Sequence, residues 1–303
     1  MVTCWGIVLR LRDTTQAALA PVFRARTVFN LASYEFLVVF LIFVGEGLLF
    51  AGYSVLGVGV QALNIIAVAI IMVTLKGERV QLIEALALIS VFGVVSFSFA
   101  HVSIIYSLAI VSVMFLPLIV VIPTLPLFLW VAFYGVMFIP IITIVAHRKL
   151  SRHDLGLTGG HRLMYLIPLG ALVGVGLALI EYAILVPTAP IPNVSASGLI
   201  GLSIVMIFFV AFVEELLFRA LLQPQFIGRS GAVAGILITS VLFGAIHAIY
   251  GNVYELLFTI GAGVVFGVAF YKTKNLLFVV TMHAVDDILL YGVLPFLPLA
   301  LPH

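Results

Sequence analysis

The feature that most constrains this sequence is the placement of its lysines and arginines, which with one exception lie in short polar stretches between long apolar runs. Charged residues make up 9% of the 303 residues and hydrophobic residues 64%. A water-facing domain is about one quarter charged. Every Lys and Arg except Arg219 lies in one of the polar stretches, and the apolar runs between them are about 20 residues long, the length of a helix that crosses a bilayer.

These runs predict an all-α, polytopic integral membrane protein with about 8–10 transmembrane helices. A β-barrel would instead show weak, alternating segments. The predicted spans lie near residues 31–52, 55–75, 80–100, 102–122, 125–146, 163–186, 199–222, 231–250, 254–271 and 275–296. The net charge of +2 gives no reason to expect a nucleic-acid partner, and the single cysteine excludes an intramolecular disulfide and a cysteine-based zinc site.

The largest polar stretch, residues 147–162, divides the chain into two modules. Its basic side chains outnumber its one carboxylate, Asp154, so the positive-inside rule predicts a cytoplasmic loop. Residues 1–146 then form an N-terminal membrane module of about five hydrophobic spans. Residues 147–303 form a membrane core opened by this loop, and the ionisable residues concentrate there. We expect a catalytic cavity within this C-terminal helix bundle.

Three late spans carry ionisable residues, which cost about 2.5–3.5 kcal/mol each at the bilayer centre and usually mark a functional site. They are Glu214, Glu215 and Arg219 in the span 199–222, His247 in 231–250, and His283, Asp286 and Asp287 in 275–296. The i, i+4 spacing of Glu215 and Arg219 predicts an ion pair, which leaves Glu214 without a local partner. We expect Glu214, His247, His283 and Asp287 to face one cavity, where a glutamate is suited to act as a general base.

Other carboxylates have simpler explanations. Those near the ends of spans are expected to pair or to reach the membrane surface: Glu35, Glu84, Glu181 and Glu255. If the spans were straight, Glu214 and His283 would lie near the cytoplasmic side and His247 near the opposite end of its helix. The helices must therefore be long, tilted or displaced for the four side chains to meet.

The three motifs together resemble a known family. They are Glu214-Glu215-x-x-x-Arg219, Phe243-x-x-x-His247 and His283-x-x-x-Asp287, in that order and in separate spans. This combination resembles the CAAX protease and bacteriocin-processing family of intramembrane glutamate proteases, which includes the prenyl-protein (Rce1-type) endopeptidases. The DLGL sequence at 154–157 is similar to the start of that family's core. The resemblance covers roughly residues 150–295.

The resemblance implies a metal-independent endopeptidase without a cofactor. Glu214 would be the general base, working with His247 on a water molecule, and His283 with the residue at 287 would stabilise the oxyanion. Three residues would support the site: Glu215, Arg219 and Phe243. The family often has Asn at position 287, and an ionised Asp287 cannot donate a hydrogen bond to an oxyanion. Asp287 is therefore either protonated or orients and charges His283, and we favour the second interpretation.

The expected substrate is a membrane protein or lipidated peptide at the lipid bilayer, and the expected location is the cell membrane of a prokaryote. Two other functions fit the same residues. One carboxylate and two histidines are a ligand set for zinc or iron, which predicts a metal-dependent hydrolase, although an HExxH motif is absent. A non-catalytic protein, such as an immunity protein, would only bind a lipid or peptide and would tolerate exchange of Glu214 for glutamine.

Overall fold

The computed structural model describes residues 33–74, 80–95, 125–185, 187 and 189–297. Seven helical stretches in this part of the chain are long and apolar enough to cross a membrane, which confirms the polytopic all-α class. The first helices are α1 (Ser33–Phe50), α2 (Ser54–Thr74), α3 (Val80–Val95), α4 (Leu125–His147) and α5 (Leu163–Leu185). The predicted span at 102–122 lies outside the described residues.

Helix α6 is the longest element and alternates between α-helical and π-helical segments. It consists of the α-helical segments Ala196–Val205 and Phe212–Glu215, each followed by π-helical turns, at Met206–Ala211 and Leu216–Leu222. Helix α7 (Gln223–Ala245) follows without a loop. The sequence predicted a break between spans at 223–230, but this stretch is helical. Its first polar side chain bonds to a distant part of the chain, because Gln223 donates a hydrogen bond of 2.9 Å to the Gly267 carbonyl.

The chain reverses its direction within α7, at Gly231. This glycine has φ 81° and ψ 169°, a conformation that other residues rarely adopt. Residues at similar distances before and after Gly231 in the chain contact each other. A Cβ on Gly235 would lie 2.6 Å from the Ile227 nitrogen, and the ring centroids of Phe218 and Phe243 lie 5.2 Å apart. The 50-residue apolar stretch that contains Gly231 therefore folds into two antiparallel helices, in agreement with two separate predicted spans.

Two further helices complete the C-terminal bundle, α8 (Val253–Thr273) and α9 (Leu276–Gly292). Helix α9 lies parallel to α5, since Gly170 approaches Phe278 and Gly174 approaches Met282. A Cβ on Gly174 would lie 2.4 Å from the Met282 carbonyl oxygen, closer than atoms can approach without a shift of the backbone. Glycine at 174 therefore sets the distance between α5 and α9.

Substitution of Gly174 by leucine is expected to destabilise the fold by about 3 kcal/mol, because α5 must move away from α9. The matched control is Gly176→Leu on the same helix, where nothing lies within 4 Å of an added Cβ. We expect the control to unfold at the same detergent concentration as the wild type. Equal midpoints for the two variants in a denaturing-detergent titration would contradict this prediction, because α5 and α9 could then separate without a loss of stability.

The basic loop is fastened to the start of α9. The Leu276 amide donates a hydrogen bond of 2.8 Å to the Gly156 carbonyl, and the Asn275 side chain donates one of 2.9 Å to the Thr158 carbonyl. The DLGL sequence thus lies beside the connection between α8 and α9. Hydrogen bonds at this point position the N-terminal end of the helix that carries His283.

The N-terminal helices contact the C-terminal bundle through partly buried polar pairs. Glu35 on α1 forms an ion pair of 3.5 Å with Arg229, and the Gln225 side chain donates a hydrogen bond of 3.0 Å to Gln81 on α3. Within the N-terminal helices, Glu46 accepts a hydrogen bond of 2.8 Å from Gln61. Buried polar groups are stable in hydrocarbon only when they are paired in this way.

Candidate active site

Glu214 and Glu215 lie at the centre of α6, in the short α-helical segment between the two π-helical stretches. The wide turns are evident in their hydrogen bonds, because the Phe212 amide donates to the Ile207 carbonyl and the Gln223 amide to the Phe218 carbonyl, five residues back in each case. Such turns alter the directions of the side chains around them and are frequent at functional sites. Both glutamates are almost completely buried, at 2% and 0% exposure.

Glu215 connects two parts of the site. Its Oε2 lies 3.1 Å from Arg219 Nε, and its Oε1 accepts a hydrogen bond of 2.9 Å from His283 Nδ1. The ion pair with Arg219 confirms the prediction from their i, i+4 spacing. The contact with His283 was not predicted, since we had favoured Asp287 as the carboxylate that orients this imidazole. Glu215 is therefore the residue that fixes the orientation of the His283 ring.

Arg219 is enclosed by aromatic rings. Its guanidinium carbon lies 4.5 Å from the ring centroid of Phe243 and 5.4 Å from that of Phe266, and its Nη2 donates a hydrogen bond of 3.3 Å to the Gly263 carbonyl. A buried guanidinium gains both the ion pair and the attraction of the ring faces. Phe243 thus packs against the guanidinium of Arg219.

The two carboxylate oxygens of Glu214 have different neighbours, Tyr134 for Oε1 and His283 for Oε2. Its Oε1 accepts a hydrogen bond of 2.5 Å from the hydroxyl of Tyr134 on α4. Its Oε2 lies 3.9 Å from His283 Nε2, and Asp287 Oδ2 lies 3.6 Å from the same nitrogen. Neither of these two carboxylate oxygens has a hydrogen-bond partner among the described residues. Three polar atoms from α6 and α9 therefore face one small space.

His247 packs against Phe243, which also contacts His283. A carbonyl oxygen can only accept, so His247 Nδ1 donates its hydrogen to the Phe243 carbonyl, at 3.0 Å, and Nε2 is the nitrogen with a free lone pair when the ring is neutral. The centroid of the Phe243 ring lies 5.1 Å from that of His247 and 5.8 Å from that of His283. No ion pair joins His247 to Glu214 in the described structure.

Two of the carboxylates near span ends, which were expected to pair or to reach the membrane surface, lie inside the bundle. Glu181 and Glu255 do not reach the membrane surface; both are buried. The carboxyl group of Glu181 lies near those of Asp286 and Glu255, and His247 lies near enough to Glu255 to interact with its charge. The two other carboxylates are paired as expected, Glu35 with Arg229 and Glu84 with Arg148.

Tyr134 is the site residue that sequence analysis missed. It is one of several aromatic residues in an apolar span and carries no charge, so hydropathy and periodicity do not distinguish it from its neighbours.

A zinc or iron site was one alternative that the sequence left open. Within the ranges that the structure describes, no three His, Cys, Asp or Glu side chains are arranged to hold a metal ion.

Comparison with known proteins identifies the part of the chain that carries these residues. Residues 196–289 match the family model described as type II CAAX prenyl endopeptidase Rce1-like. The match includes all three motifs and confirms the resemblance drawn from them. No curated protein and no solved structure matches the chain significantly. Tyr134 and Glu181 lie outside the matched residues.

Proposed function

We propose, on the premise that residues 196–289 are Rce1-like, that this protein is an intramembrane endopeptidase in which Glu214 activates a water molecule. The observation that carries the proposal is that two carboxylate oxygens converge on His283 Nε2. Glu214 Oε2 lies 3.9 Å from this nitrogen and Asp287 Oδ2 lies 3.6 Å from it. These distances are too long for direct hydrogen bonds but suit an oxygen atom held between the groups. The site lies in a buried part of the membrane bundle, where positioned polar groups act strongly on developing charge.

The first step is the attack of water on the peptide carbonyl. Glu214 Oε2 takes one proton from the water, whose oxygen forms a bond to the carbonyl carbon, and the carbonyl π-electrons move to the oxygen. In the resulting tetrahedral intermediate, the proton on Glu214 is positioned for transfer to the leaving nitrogen. The C–N bond then breaks, giving a carboxylic acid and an amine.

His283 is placed to stabilise the oxyanion. Its Nδ1 is held by Glu215, so its Nε2 points to Glu214 and Asp287. In the imidazolium form the ring donates from both nitrogens, to Glu215 and to the oxyanion. Asp287 lies on the reacting side of the ring and not behind it. We therefore propose that it acts as a protonated acid, donating a hydrogen bond as the asparagine of the resembled family does.

His247 is proposed to assist Glu214 in holding the water. With Nδ1–H donated to the Phe243 carbonyl, its Nε2 is free to accept a hydrogen bond from water. The His247 ring is half-buried, whereas His283 is enclosed, so water reaches the site more readily from the side of His247. The proposed substrate is a peptide bond of a membrane protein or lipidated peptide, and the proposed location is a prokaryotic cell membrane.

The test is the hydrolysis of a quenched library of membrane peptides, with and without a prenyl group, by the full-length protein in lipid bilayers. The wild type is compared with His283→Ala, with and without a strong zinc chelator. We expect turnover that the chelator leaves unchanged and that falls by about 10²–10³-fold in the variant. Loss of wild-type turnover to the chelator would indicate a metal-dependent hydrolase instead. No turnover of any peptide would indicate a protein that only binds its ligand.

A further inference from the structure

Helix α4 brings a buried tyrosine hydroxyl to the proposed base. Tyr134 lies in the N-terminal module, 80 residues before Glu214 in the chain, and its hydroxyl donates a 2.5 Å hydrogen bond to Glu214 Oε1. Both side chains are buried, at 6% and 2% exposure. A hydrogen bond to a carboxylate is stronger than one between neutral groups, and burial strengthens it further. This contact lies outside the Rce1-like match at residues 196–289.

The position of the hydroxyl is set by aromatic packing around the ring. The Tyr134 ring lies edge-on to Phe133 and Phe92, with centroids 4.7 and 6.0 Å apart, and is stacked on Trp130 at 6.2 Å. Three rings on different sides leave the tyrosine little freedom to rotate. The donor is therefore preorganised, and the carboxylate that accepts from it is held in a defined rotamer.

This hydrogen bond distinguishes the two oxygens of Glu214. Oε1 is occupied by Tyr134, whereas Oε2 is directed to His283 and has no hydrogen-bond partner in the described structure. A carboxylate without such an anchor could rotate and present either oxygen, or neither, to the water. A displacement of about 1 Å at a reacting group can lower the rate by about a hundredfold.

The N-terminal module is attached to the catalytic bundle at points other than Tyr134. The pairs between Glu35 and Arg229 and between Gln81 and Gln225 join α1 and α3 to α7. Loss of the tyrosine hydroxyl alone therefore leaves the attachment of the module in place.

We infer that Tyr134 is a positioning residue for Glu214, and that the N-terminal module contributes this part of the active site to the Rce1-like core. The inference rests on the proposed function, since it assigns Glu214 Oε2 as the atom that takes the proton. The module is then a component of the site and not only a membrane anchor beside it.

The test compares Tyr134→Phe with Tyr182→Phe in the full-length protein in lipid bilayers, using a peptide cleaved by the wild type. Tyr182 is also buried, but it packs against Leu290 and Leu294 on α9. We expect kcat to fall by about tenfold or more in Tyr134→Phe, the loss for one hydrogen bond to a charged group, with KM within about twofold of the wild type. Tyr182→Phe is expected to match the wild type in both constants and in its unfolding midpoint. Tyr134→Phe is expected to unfold at a lower detergent concentration, because a buried carboxylate oxygen loses its donor, and its kcat is measured under conditions in which it is folded.

Glu214→Gln is measured in parallel so that the two proposals can be separated. Turnover that depends on Glu214 but is unchanged in Tyr134→Phe overturns the role of Tyr134 alone. A rise of KM of about tenfold in Tyr134→Phe, with kcat unchanged, also overturns it, because the hydroxyl would then contribute to substrate binding. Turnover that survives Glu214→Gln overturns the proposed function itself.

Discussion

Exchange of Glu214 for glutamine is expected to lower kcat by about a thousandfold, the typical loss for a general base. Glutamine has nearly the same shape, and its carbonyl oxygen can still accept the hydrogen bond that Tyr134 donates to Oε1. An amide nitrogen in the position of Oε2 cannot take a proton from water. The change therefore removes the chemistry and leaves the packing, and it is measured as turnover at saturating peptide.

The matched control is Glu46→Gln. Glu46 is also a membrane glutamate at 2% exposure, and its carboxylate accepts a hydrogen bond from Gln61 in the hairpin of α1 and α2. We expect this variant to retain wild-type kcat, because its carboxylate belongs to the packing of the N-terminal helices. A Glu214→Gln variant that keeps more than about a tenth of the activity would require another base. His247, with Nε2 free to accept a proton, would be the next candidate.

Exchange of Arg219 for methionine is expected to destabilise the protein by about 3–5 kcal/mol, the usual loss when one partner of a buried ion pair is removed. Glu215 has 0% exposure, and its Oε2 would lose the guanidinium at 3.1 Å without access to water. The methionine would also lack the hydrogen bond to the Gly263 carbonyl. The measurement is a reversible unfolding titration in mixed micelles with a denaturing detergent.

The double variant Glu215→Gln/Arg219→Met tests the reason for that loss. It removes both charges, and the glutamine oxygen can still accept the hydrogen bond from His283 Nδ1. We expect the double variant to regain at least about half of the stability lost by Arg219→Met, because no uncompensated charge remains buried. Equal losses in the single and double variants would mean that Arg219 stabilises the bundle through its aromatic contacts and not through the ion pair.

The sequence predicted the residues of the candidate site better than their contacts. Glu214 and Asp287 lie 3.9 and 3.6 Å from His283 Nε2, as expected for residues that face one cavity, while no ion pair joins His247 to Glu214 among the described residues. The Glu215–Arg219 pair was predictable because both residues lie on one turn of the same helix. The Glu215–His283 bond joins residues 68 apart in the chain, and hydropathy and helical periodicity contain no information about such a contact.

By itself, the sequence determined that this protein is an all-α membrane protein, which spans carry the ionisable residues, and which acid pairs with Arg219. These properties depend on hydropathy and on i, i+4 spacing, which are local. Only the tertiary structure decided that Glu215 holds His283, that Tyr134 holds Glu214, and that Glu181 is buried with Asp286. Those contacts depend on the reversal of the chain at Gly231 and on the close approach of α5 and α9 at Gly174, where packing between distant helices sets the distances.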